Sequence, residues 1–162
     1  MVKFTTLFFE AYGKIFYESV LHEGGYDMER INTFEDYMVT DLSLSLEEMN
    51  NLHIRMRIEI GADEVALELY EDLLEQAVKY SQFRAKWFLW SKEERREQDG
   101  YRTSCHNALI AKFNILARYL KNKEYPVEWR DVLGDENANP YVRKRIGDFA
   151  CFMVFVESVN SR

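Results

Sequence analysis

The sequence predicts an α+β fold, mainly α: a small N-terminal antiparallel β element in residues 1–61 packed on a C-terminal bundle of three or four helices in residues 62–162. Three observations carry this. Residues 53–60 alternate polar with apolar, placing Ile54, Met56, Ile58 and Ile60 on one side of a strand and Arg55, Arg57 and Glu59 on the other. After Gly61 the apolar residues recur with the period of a helix. Residues 149–156 are apolar nearly all round, as in a helix buried at the centre of a bundle. An all-α chain is the alternative. With 162 residues the chain is long enough for one domain, and 47% hydrophobic with 15% aromatic content lies outside the composition of disordered chains.

Taken in order, residues 2–9 and 14–21 are rich in Phe, Tyr, Val, Ile and Thr and read as strands, although Phe8, Tyr12, Ile15 and Ser19 also fit one helix. Gly24 and Gly25 end that segment, and residues 26–36 read as a connection. Residues 41–46 alternate as residues 53–60 do, so the two pair as a hairpin around Asn50 and Asn51. A competing signal is Ser45-Leu-Glu-Glu48, a helix capping box, followed by Met49, His53, Met56 and Ile60 at helical spacing. Asp63 caps a long helix running towards Trp90, with Ala66, Tyr70, Leu73, Leu74, Ala77 and Val78 as its buried stripe. Ser91-Lys-Glu-Glu94 is a second capping box, and Gly100 kinks or divides the helix from residues 101–121. That segment has an apolar face of Cys105, Leu109, Phe113, Leu116 and Leu120. Pro126, Gly134 and Pro140 punctuate the connection to the last helix, where Pro140 suits the first helical position.

The charges are unevenly placed. The net charge is −7, but residues 1–76 carry five basic and 17 acidic side chains, giving −12, while residues 77–162 carry 16 and 11, giving +5. Such an acidic chain is not built to grip nucleic-acid phosphates across its whole surface. Glu64, Glu68, Glu71 and Glu75, with Asp72 beside them, form an acidic stripe, and no Lys or Arg occurs between residues 62 and 78. Carboxylates one turn apart, about 5–6 Å, approximate a row of phosphates. The plainer reading is a solvated face whose acids complement the helix dipole.

A polar seam borders the apolar face of the next long helix: Arg102, His106, Asn107, Asn114 and Arg118. A His beside Asn and Arg could move protons or hold a phosphate, yet no carboxylate stands at an offset that would orient the imidazole. A structural network is favoured, with Asp148 of the last helix pairing with Arg102 or Arg118. Trp87, Phe88 and Trp90 form an aromatic edge that is core or, where exposed, an interface.

The run Arg102-Thr-Ser-Cys-His-Asn-Ala-Leu-Ile110, with Asn114-Ile-Leu-Ala-Arg118, Trp129-Arg130, Leu133-Gly134 and Arg145-Ile-Gly-Asp-Phe-Ala150, resembles a bacterial helical domain family of unknown function found in Gram-positive genomes and their mobile elements. The resemblance implies an all-helical C-terminal domain and no particular reaction. The first 60 residues fall outside it.

Three histidines and two cysteines are scattered without metal-ligand spacing, so no metal is expected. Cys105 and His106 are neighbours that point about 100° apart on a helix and cannot form a nucleophile–base pair. No phosphate loop and no cofactor motif occurs. Two cysteines fit a reducing compartment, and no apolar run is long enough for a signal or a membrane span, so the expected location is the cytoplasm. These readings lead to the expectation of a non-enzymatic interaction protein from a bacterium, phage or other mobile element. It would bind a protein partner and would touch neither nucleic acid nor membrane directly. Its sharpest form is an inhibitor whose acidic surface blocks a nucleic-acid-binding defence protein. The rivals are a small enzyme acting on a phosphorylated or nucleotide substrate through the seam, and a homo-oligomeric scaffold joined at the aromatic edge.

Overall fold

The computed structural model describes residues 43–134 and 140–160. Six helices lie among them: α1 (Leu46–Ile60), α2 (Glu64–Leu89), α3 (Lys92–Glu97), α4 (Asp99–Asn122), α5 (Glu128–Leu133) and α6 (Pro140–Asn160). None of the described residues is in a strand, which corrects the α+β expectation. The segments 2–9, 14–21 and 26–36 lie outside the described residues.

The correction is clearest in α1, where the hairpin was expected. Ser45 accepts from the Glu48 backbone N–H (3.2 Å), and the Glu48 carboxylate accepts from the Ser45 N–H (2.7 Å), so the capping box forms in full. The Ser45 N–H and hydroxyl, both donating to the carboxylate, hold the Glu48 carboxyl below its ordinary range. Met49, Leu52, Met56 and Ile60 then share one buried face at helical spacing. The alternating set is divided: Met56 and Ile60 enter the core, while Ile54 (46% exposed) and Ile58 (70% exposed) are left outside. A buried helical stripe together with a satisfied N-terminus outweighs a local alternation that a strand would have used in full. Gly61, at φ +53°, ends the helix and donates its N–H to the Arg57 carbonyl.

The long helices follow their sequence signals. Asp63 caps α2, accepting from the Val65 and Ala66 N–H groups at 3.0 Å each, and also accepts from the Tyr119 hydroxyl. Ala66, Tyr70, Leu73 and Ala77 are buried, with Leu74 and Val78 packed against the core edge. The Ser91–Glu94 capping box starts α3. The chain breaks at Gln98, so Gly100 falls within the first turn of α4 and neither kinks it nor ends it. The short α5, unread in the sequence, seats Trp129 and Leu133 fully in the core. Pro140 opens α6.

Packing centres on α2, which lies against α4 and α6. Phe113, Phe149 and Trp129 meet in the middle, with Phe113 between the other two at ring separations of 6.3 and 5.9 Å. α1 packs against α5, α2 and α6, so its buried residues join the same core as the rest. Gly147 lets α6 approach α2 closely, since a Cβ there would collide with the Tyr80 hydroxyl. No helix among the described residues is long and apolar enough to cross a membrane.

Candidate functional site

The acidic stripe stands open on α2. Glu64, Glu68, Glu71, Asp72 and Glu75 are all exposed. Two are partnered: Glu75 with Lys79 at 2.7 Å, and Asp72 with Lys112 of α4 at 2.6 Å. Among the described residues no base reaches Glu64, Glu68 or Glu71. The uncompensated charge is therefore at the N-terminal half of the stripe, where Glu64 alone lies in the first turn favoured by the helix dipole.

The polar seam is drawn apart. Asp148 is fully buried and pairs with Arg84 of α2 at 2.7 Å, not with Arg102 or Arg118. It also accepts from the backbone N–H (3.1 Å) and hydroxyl (2.8 Å) of Ser43. A buried charge needs such a set of donors to offset its lost hydration. Arg102 pairs with Asp99 one turn away and lies 4.8 Å over the Trp87 ring. Asn114 accepts from Arg130, and Asn107 accepts from Arg143. Arg118 is exposed.

His106 is buried against the Tyr80 ring at 5.3 Å. Burial and the nearby charges of Arg143, Arg84 and Arg102 push the imidazole down to about 4, so it is neutral at ordinary pH. Burial pushes the Tyr80 hydroxyl up to about 12. An imidazole so placed is a poor general base near neutrality.

No family model, curated protein or solved structure matches this chain. Its function rests on the chemistry of its own side chains.

Two polar clusters were not foreseen. Glu59, 7% exposed, accepts from the Val127 N–H at 3.2 Å and the Trp129 indole N–H at 2.7 Å. His53 lies 3.2 Å from both the Tyr70 hydroxyl and Glu157, and Tyr70 donates to Glu157 at 2.7 Å. The bonds from His53 and Tyr70 hold the Glu157 carboxyl below its usual range. Reading residues 53–60 as a strand set Glu59 on the solvent side. On a helix, its spacing of three from Met56 and seven from Leu52 marks it as buried.

Trp87 and Trp90 are half-buried around Phe83, at ring separations of 6.0 and 5.4 Å, and the exposed Tyr101 closes the cluster at 5.1 Å. The Phe88 side chain lies outside the described residues. Both cysteines are buried, and among the described residues no group of three His, Cys, Asp or Glu is placed to hold a metal ion.

Proposed function

We propose that the chain acts by binding a protein partner, with the acidic face of α2 occupying the basic groove of a nucleic-acid-binding protein. The observation that carries this is the exposed row of Glu64, Glu68 and Glu71, which no base among the described residues neutralises. Carboxylates spaced one turn apart on a rigid helix present negative charge at regular intervals, as a phosphate backbone does. The engagement of the seam residues weighs against the enzyme reading, because Asp148 is taken by Arg84, Asn114 by Arg130 and Asn107 by Arg143.

The test uses the immobilised chain to capture proteins from host lysate at low salt, then asks whether a captured nucleic-acid-binding protein gives up a labelled oligonucleotide when the chain is added. The expected result is displacement that fails at high ionic strength and fails in the double variant Glu68→Lys, Glu71→Lys. Displacement by the double variant as strong as by the parent chain would remove the proposal.

A further inference from the structure

Ser43, the first of the described residues, has a fixed place in the fold. Its backbone N–H and hydroxyl bond Asp148 at 3.1 and 2.8 Å, and Asp148 in turn holds Arg84 of α2 at 2.7 Å. Helix α1 runs antiparallel to α2, since His53 lies level with Tyr70 and the earlier Ser43 lies level with the later Arg84. Traced backwards from Ser43, the chain therefore departs beside the C-terminal end of α2.

That end of α2 carries the aromatic edge. Trp87 and Trp90 gather around Phe83, the Tyr101 ring closes the cluster from α4, and the Arg102 guanidinium lies over Trp87. Tyr101 is 59% exposed, and neither tryptophan is fully covered. Surface clusters of Trp, Tyr and Arg have the composition of interface centres.

The preceding segment has the composition to cover such a cluster. Nine of residues 1–42 are aromatic, a higher share than the 15% of the whole chain. With 42 residues and no cysteine, the segment is close to the length, about 40 residues, below which a chain seldom builds a core of its own. Another surface serves its apolar side chains better. The charges also complement one another: residues 1–42 carry three basic and eight acidic side chains, giving −5, while residues 83–102 carry six and four, giving +2.

We propose that the aromatic edge of Phe83, Trp87, Trp90 and Tyr101 is the docking surface for residues 1–42 of the same chain. Reach sets no obstacle, because a few residues at about 3.3–3.6 Å each cross the width of a helix, about 10 Å. A second copy is the competing occupant, but the tether at Ser43 gives the chain's own segment a far higher effective concentration at the edge. The surface lies at the opposite end of α2 from Glu64, Glu68 and Glu71, so this proposal and that for the acidic face can fail separately.

The experiment replaces Tyr101 in the full chain by the photo-reactive benzoylphenylalanine, irradiates at micromolar concentration, and maps the linked peptides by mass spectrometry. A parallel chain carries the reagent at Ile115, exposed on α4 and about 21 Å along the same helix. The expected product is a link from position 101 to a peptide within residues 1–42, in a species of monomer size, with that link lost when the reagent stands at position 115. A covalent dimer would show that a second copy covers the edge, and links confined to α2, α3 and α4 would show that residues 1–42 do not. Equal links from positions 101 and 115 would show contact without a preferred surface. Any of these three results overturns the proposal.

Discussion

His106 and Gly147 show how much single positions decide at the α2–α4–α6 junction. His106 is neutral in the folded protein down to about pH 4, against an ordinary value of 6.5. As pH falls through 6.5 the unfolded chain takes up a proton that the folded chain refuses, so stability drops between pH 6.5 and 4. Over that window the loss amounts to roughly 3 kcal/mol. Chemical denaturation should show a steeper fall with acidity in the parent chain than in His106→Gln, and equal slopes would refute it. At Gly147, helix propensity alone would favour alanine by about 1 kcal/mol. The Tyr80 hydroxyl and the Arg84 guanidinium occupy the space of the added methyl, however, and Tyr80 is wedged against His106. Gly147→Ala should therefore destabilise by about 1–2 kcal/mol. Adding Tyr80→Phe, which removes the obstructing oxygen, should recover part of that loss in a double-mutant cycle.

Helix α5 owes its place to other helices. It has only six residues, and it follows Val127, a β-branched residue in the left-handed region at φ +53°. That conformation is strained and persists only where the surroundings impose it. Glu59 of α1 does so, taking the Val127 N–H and the Trp129 indole N–H on its two oxygens. Replacing Glu59 by alanine leaves two buried donors without acceptors, at a cost of about 3 kcal/mol. Glu59→Gln keeps one acceptor oxygen and should fall between. The measure is the midpoint of urea unfolding, and an alanine variant within about 0.5 kcal/mol of the parent would show that Val127 is held by packing alone. Helix α1, by contrast, carries its own start signal in the Ser45–Glu48 box and its own stop at Gly61.

Across the molecule, what was legible in the sequence follows from which forces are local. Helices α2, α4 and α6 could be read because their apolar residues recur over many turns, and the starts of α2, α3 and α6 because Asp63, Ser91 and Pro140 act on adjacent backbone. Residues 53–60 misled because Ile54 and Ile58, apolar yet outside the core, completed an alternation that the folded chain does not use. The short α5 escaped notice because six residues have no period of their own. The acidic stripe was legible as a line of like charge at helical spacing without an interleaved Lys or Arg. The pairing of Asp148 was not, since the rotation of α6 against α2 selects Arg84 over Arg102, and no spacing along one helix encodes the rotation of another.

The tie between Asp148 and Ser43 spans 105 positions, and that between Glu59 and Trp129 spans 70. A nascent polypeptide emerges from its amino end, so α1 leaves the ribosome well before the acceptors and donors that lock it in place have been translated. The earliest of these helices to be made is thus among the last to be secured. Until α5 and α6 are complete, the oily side of α1 has only part of its final cover, from α2.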